Sequence, residues 1–394
     1  MRFNIPEPGH LLRTAACFIL AASACPPLAG QQKPSAPPAD FGPLPELPKL
    51  DLPALPSWDR VFSLHTAFGF KDNVLLGNFN TQASPFVNNG VEIILLKLPV
   101  NGWQWQLYLA GEDTRYFSSP SVDKEQIALA ISQLKKEFTG GWSGTWTAQY
   151  LYQNLVLDLS ASETQFATLL AQSHGYTTRF ALRKDFASKS WFEIEPSLGR
   201  QDFDSPVDDY WEIGPKTTIG LTYGHRSELA LSHELLHRAY DTREQSDAAG
   251  FTDPGAALEY QVHRLDLVNR HHFDEKRRWR LTSRLGYELN SDNGSGYFDY
   301  RRWIFSEQLR FRDDPWEMRG QIRASLYAYP VQPASATTTD KRSRSDVSLL
   351  VRAERKLGKQ FKLYSEYEYE RSLSNQPGTQ YAVNIFSFGL NWEY

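Results

Sequence analysis

From Phe386 to Tyr394 every second residue is large and apolar: Phe386, Phe388, Leu390, Trp392 and Tyr394 are separated by Ser387, Gly389, Asn391 and Glu393. Successive side chains of a strand point to opposite faces, so this stretch has one apolar face and one polar face. The same two-residue period runs through the chain from Trp58 onward. It predicts strands over 58–73, 86–98, 103–116, 124–138, 142–158, 164–184, 191–203, 210–224, 227–243, 257–272, 278–290, 300–312, 316–329, 343–356, 360–372 and 379–394. One of them, around EQIALAISQLKKE (Glu125–Glu137), also fits a helical spacing.

The connections between these strands alternate in kind. One set is tight (PVNG, TGG, GHR, DEKR, DDP, GK), and the other is longer and rich in turn formers (VLLGNFNTQASP, SSPSVD, EQSDAAGFTDPG, SDNGSGYFD, VQPASATTTDKR, SNQPGTQ). Short turns at one end and longer loops at the other are the layout of a membrane-spanning barrel. The expected fold is therefore all-β, a single antiparallel transmembrane β-barrel over residues 58–394 with about 16 strands, 14 to 18 being compatible with the pattern. Tryptophan placement agrees. Trp58, Trp103, Trp142, Trp191, Trp279 and Trp316 each open an odd-numbered strand after a tight turn, and Trp392 falls near the end of the last strand. These seven are expected in one interfacial girdle, with Trp211 and Trp303 in the other. The Trp spacing also approaches the repeat of a β-propeller blade, but a blade needs four short strands where this chain has two long ones.

Composition narrows the class further. The net charge of −4, with Lys and Arg mixed among Asp and Glu, gives no nucleic-acid signature. Residues 1–30 read as an export signal, with Arg2 and Arg13 supplying positive charge ahead of the apolar TAACFILAASA and an A-x-A cleavage pattern at Ala22–Ala24. ASAC also resembles a lipoprotein box ending at Cys25. Residues 31–57, proline-rich as in PLPELPKLDLPALP, read as an extended periplasmic tether. Both cysteines, Cys17 and Cys25, lie in or beside the signal, so no disulfide is expected in the barrel.

The alternating strand that ends in Phe386, Phe388, Leu390, Trp392 and Tyr394 resembles the C-terminal signal by which outer-membrane barrels are recognised by the barrel-assembly machinery; Tyr394 stands where Phe is commoner. The resemblance is generic and porin-like. It implies the outer membrane of a Gram-negative cell, with outer-membrane lipid and the assembly machinery as partners and the termini in the periplasm.

Motifs that could carry chemistry are few. HELLH (His233–His237) matches the spacing of a zinc protease site on a helix, with Glu234 as general base. Here it sits in a strand-period segment, where residues four apart are separated by roughly 13 Å, too far to share one ion. His65, His174, His263, His271 and His272 are the remaining candidates for a membrane hydrolase, and none has a neighbouring nucleophile motif. Asp292 and Asp299 in SDNGSGYFDY lack calcium-loop spacing. No cofactor, metal or catalytic residue is expected.

The charge pattern says more. Alternation places Arg280 and Arg284 opposite Trp279, Leu281 and Leu285, Arg319 and Arg323 opposite Trp316, Met318 and Ile322, and Glu366, Glu368 and Glu370 opposite Tyr367 and Tyr369. Ions on a lipid face cost up to a few kcal/mol, so the charged face is the lumen. The expected pore lining is Arg280, Arg284, Arg310, Arg319, Arg323, Arg352, Glu354, Glu366, Glu368 and Glu370, either as a basic wall set against an acidic ladder or as pairs neutralised across neighbouring strands. The implied function is passive diffusion of small hydrophilic solutes through a hydrated channel. The alternative is a non-conducting structural, assembly or export-partner barrel.

Overall fold

The computed structural model describes residues 58–394 apart from 80, 159–167, 188, 205–206 and 336. The expected export signal and tether, and the first residues of the strand expected at 164–184, lie outside the described residues. Sixteen strands follow in chain order: β1 (Trp58–Lys71), β2 (Ser84–Val100), β3 (Trp103–Tyr116), β4 (Lys124–Glu137), β5 (Trp142–Asp158), β6 (Thr168–Asp185), β7 (Ser190–Phe203), β8 (Tyr210–Tyr223), β9 (Ser227–Ser246), β10 (Thr252–His272), β11 (Trp279–Asp292), β12 (Tyr300–Asp313), β13 (Trp316–Pro333), β14 (Lys341–Leu357), β15 (Phe361–Ser374) and β16 (Tyr381–Glu393). Each pairs antiparallel with its sequence neighbours, and β1 pairs with β16, so the sheet is a closed barrel. Closure removes the unpaired edges that a bilayer would leave without partners.

The seam depends on the alternating last strand. Phe388 is opposite Phe68 and Leu390 opposite Thr66. Tyr394 donates its N–H to the Phe62 carbonyl at 2.8 Å, and Phe62 donates back to the Tyr394 carbonyl at 3.1 Å. Phe386 and Phe388 are 56% and 55% exposed, which puts the apolar face of β16 outside. The segment that also fitted a helix is β4, a strand in register with β3 and β5.

At the tight-turn end, Trp58, Trp103, Trp142, Trp279 and Trp316 are exposed on the outer face, and Trp211 and Trp303 are exposed towards the loop end. Trp191 departs from the expected girdle. It is 5% exposed, faces inward, and lies under the Arg183 guanidinium at 4.0 Å from its ring centroid. Its outward neighbours are Phe192 and Ile194. The one-residue difference in phase flips the side chain to the other face. A Cβ on Gly220 would lie 2.2 Å from the Trp191 ring, so the bare backbone there makes room for the indole inside the barrel.

The β10–β11 turn illustrates how the tight end is built. Asp274 accepts hydrogen bonds from the Trp279 N–H at 3.2 Å and from Arg278 Nε at 3.0 Å. Desolvation pushes its pKa up, but these bonds and the Arg278 charge outweigh it and hold the carboxyl below its ordinary value.

Candidate functional site

The lumen wall carries the ionisable residues. On β11 to β14, Arg280, Arg310, Arg319 and Arg352 occupy successive directly opposed positions, forming a row of four arginines across four strands. Like charges so placed repel, and carboxylates flank the row to offset this. Arg310 Nε donates to Glu317 at 2.7 Å, Arg352 Nε to Glu354 at 2.5 Å, and Arg352 Nη1 to Glu366 at 3.2 Å. Glu366 is the next position of the same row, on β15. The acidic strand therefore adjoins the basic wall instead of facing it across the lumen. Arg323 lies in a second row, between Ser306 and Ser348, with Arg284 and Glu370 further along it. Arg284 is paired with Asp266 through Nε at 2.8 Å and Nη2 at 3.0 Å. Glu370 accepts from the Tyr381 hydroxyl at 2.6 Å, and Glu368 is opposite Leu350 and Ile385. Much of the expected lining is thus neutralised by neighbours on the same wall, while Glu354, Lys362 and Asp346 keep side-chain exposures of 22%, 27% and 25% inside the barrel.

The wall opposite is different in kind. Ile94, Tyr108, Ala110, Ile127, Leu129 and Leu151 form an apolar cluster on β2 to β5, with Val61, Ile131 and Leu155 packed against it. By strand parity these side chains share the inward face of Glu92, Glu112 and Glu125. This patch lies outside the expected lining, which follows charge on the inner face, although the apolar alternates Ile127, Leu129 and Ile131 are readable within β4.

The loop end is partly roofed. Val74 and Val122, from the loops after β1 and β3, cluster with Phe86, Tyr116 and Val156. A second apolar cluster joins the long β9–β10 hairpin (Tyr240, Leu258, Tyr260, Val262) to Tyr297 and Phe298 of the next loop. The end of β5 reaches inward between these. The Val156 N–H donates to Glu125 at 3.1 Å; Glu125 also binds Lys71 at 3.3 Å and the Tyr116 hydroxyl. Two residues on, Asp158 accepts from Arg344 Nη2 of β14 at 2.7 Å, and Arg344 Nε also holds Asp346 at 2.7 Å. β5 and β14 are seven strands apart by the shorter route round the barrel. The end of β5 therefore reaches across the lumen, tied to β4 by Val156 and to β14 by Asp158. Connection lengths do not reveal it, because the crossing is made by strand residues that keep their pairing with β6.

The remaining motifs are absorbed into the fold. In HELLH, Glu234 faces inward and accepts from Arg264 Nη1 at 2.8 Å, while Arg264 Nε donates to Glu288 at 2.7 Å. His233 and His237 share the outer face with Leu231 and Leu235. His65 bonds Asn88 Oδ1 at 3.0 Å, His174 bonds the Tyr150 hydroxyl at 3.0 Å, and His271 bonds the Tyr223 hydroxyl at 3.2 Å. His263 stacks on His233, and the His272 backbone donates to Ser227 Oγ at 3.0 Å. Asp292 accepts three backbone N–H groups, from Gly294, Gly296 and Phe298, at 2.8–2.9 Å, and Asp299 accepts that of Asp292 at 2.7 Å. Those carboxylates order their own loop, and no cluster of metal-ligating residues occurs among the described residues.

An apolar outer face, an ionic inner face and a closed antiparallel sheet define a porin-like outer-membrane β-barrel. No protein-family model matches the chain, and no curated protein matches its sequence. Solved structures of similar fold include an outer membrane protein of Vibrio cholerae, OmpT lacking loop L8 (TM-score 0.47, 9% identity, covering 86% of this chain and 99% of that one). Others are OccK9 of Pseudomonas aeruginosa (0.46, 9%, 86% and 98%) and an anion-selective porin from Comamonas acidovorans (0.46, 10%, 86% and 99%). What these share with the chain is architecture.

Proposed function

We propose that the protein is a diffusion channel for small hydrophilic solutes, with a preference for anions, set in the outer membrane with its termini periplasmic. In this reading residues 1–30 are its export signal, 31–57 its tether, and Phe386, Phe388, Leu390, Trp392 and Tyr394 its address for the barrel-assembly machinery. The observation that carries it is the row of four arginines at 280, 310, 319 and 352, which outnumbers the three carboxylates bonded to it, Glu317, Glu354 and Glu366, on an inner wall where Glu354 and Asp346 keep partial exposure. A dry, packed interior would not hold so many ionised groups, because each would lose hydration it could not replace. Sixteen strands enclose a lumen wide enough for water, and the rings of charge act on the ions that pass. The test is planar-bilayer recording of the refolded protein. Stepwise conductance with an anion-favouring reversal potential is expected, and correctly folded barrels without conductance would defeat the reading.

A second reading, a non-conducting scaffold or export partner, has one specific observation in its favour. The end of β5, bonded to Glu125 on one side and Arg344 on the other, reaches across the lumen at the loop end. The same recording separates the two.

A further inference from the structure

The apolar cluster on β2 to β5 is out of place in a hydrated lumen. Its six side chains, Ile94, Tyr108, Ala110, Ile127, Leu129 and Leu151, face inward and yet are only 2% to 7% exposed. Neighbours on one wall cover the flanks of a side chain and leave its tip open, and apolar area left against water costs about 25 cal/mol per Å². The roof at the loop end is too far away to cover the whole patch, because Tyr108 is five residues from the tight-turn end of β3 at Trp103. Two polar atoms are caught in the same place. The Tyr108 hydroxyl and Gln153 Oε1, on side chains 6% and 5% exposed, are buried without a hydrogen-bond partner among the described residues. Gln153 is directly opposite Ile127 and shares the inner face of Leu151. Buried polar groups are normally hydrogen-bonded, so this patch fits an occupant with an apolar surface and free backbone donors and acceptors.

The sequence just before β1 has that chemistry. In residues 43–56, PLPELPKLDLPALP, the leucines Leu44, Leu47 and Leu50 recur every third residue. An extended proline-rich chain has three residues per turn and no internal hydrogen bonds, so these leucines form one stripe and every carbonyl is free to accept. Apolar grooves with aromatic side chains dock such chains. Glu46 and Asp51 fall off the stripe, on the sides that a wall-bound chain turns towards the arginine row. Position agrees: residue 57 adjoins Trp58 at the tight-turn end of β1, and Val61, three residues on, packs against the patch. Length agrees too. Fourteen extended residues at about 3.1 Å each reach about 43 Å, nearly as far as the fourteen residues of β1 at about 3.3 Å each. We infer that residues 43–56 turn back into the barrel and lie along the β2–β5 patch with Leu44, Leu47 and Leu50 against it. The Tyr108 hydroxyl donates to a backbone carbonyl of the segment, and Gln153 Oε1 accepts from one of its N–H groups. Residues 31–42 remain the tether. The docked segment narrows the passage from one side and leaves the arginine wall bordering it.

The test uses the full chain, with Cys17 and Cys25 changed to Ser, folded in detergent. A single cysteine is introduced and reacted with a maleimide carrying a polyethylene glycol too bulky to enter the barrel. The rates need no conductance, so they are read whether or not the barrel passes ions. Leu47→Cys should react at least tenfold more slowly than Ser35→Cys, which lies in the tether. Ile127→Asn with Leu129→Asn polarises the patch and leaves the lipid face untouched; with folding checked by unheated gel mobility, it should bring the two rates together. Leu44→Ser with Leu50→Ser lies outside the barrel wall, leaves its folding unchanged, and should do the same. Equal rates in the barrel with its leucines and patch intact would overturn the inference. So would protection at position 47 that neither pair of substitutions releases, or that is lost on dilution, which would assign the segment to another copy.

Discussion

The tie between Asp158 and Arg344 gives the sharpest quantitative prediction. Their side chains are 8% and 4% exposed, and the contact is 2.7 Å. With charge centres about 4 Å apart and an effective dielectric near 20, the attraction is about 4 kcal/mol. Breaking a buried pair from one side costs a similar amount, about 3–5 kcal/mol, because the abandoned charge stays desolvated. Arg344→Met should therefore shift docking of the end of β5 by roughly three powers of ten at 1.4 kcal/mol per tenfold. The near end should hold, because Val156 keeps its bond to Glu125 and its packing against Phe86 and Tyr116. Only the far wall is released. In single-channel recordings the variant should show larger conductance with added flicker, and its heat-modifiable gel transition should fall by several degrees. Asp158→Asn on the same background should recover much of the stability, since it removes the charge that Arg344 balanced, but not the smaller conductance. If Arg344→Met leaves both conductance and transition at wild-type values, the end of β5 is not held by this bridge.

The other predictions are more direct. Replacing Arg319 and Arg323 by Glu changes the wall by four charges; at about 8 Å from a passing ion in screened water each contributes roughly 0.2 kcal/mol, with opposite sign for anion and cation, so the anion-to-cation permeability ratio should fall roughly fifteenfold, measured as a reversal potential in a salt gradient. No shift would mean the row does not border the ion path. Metal analysis should find no stoichiometric zinc. Glu234→Gln should leave conductance unchanged but lower the melting transition, because Arg264 loses one of its two carboxylates; zinc bound and then lost on changing His233 would contradict the strand. Deleting Tyr394 removes both hydrogen bonds to Phe62, and should reduce the folded fraction seen on unheated gels; unchanged assembly would show that the seam closes without it.

The two-residue period by itself determined most of this molecule. It specified the strands, their number and which face of each meets lipid, because a strand half in hydrocarbon tolerates no other pattern. Arg319, Arg323 and Glu366 could be assigned to the inner face from Met318, Ile322 and Tyr367 beside them. Trp191 marks the limit of that logic: its place after a tight turn matched the girdle, yet its parity with Phe192 and Ile194 turned it inward. What the sequence could not supply was anything set by closure. Which strand lies opposite which, that the arginines fall in one row, that the acidic β15 adjoins them, and that Asp158 reaches Arg344 across 186 residues of chain all depend on register accumulated round the barrel. Local alternation carries no information about that sum, and only the closed sheet fixes it.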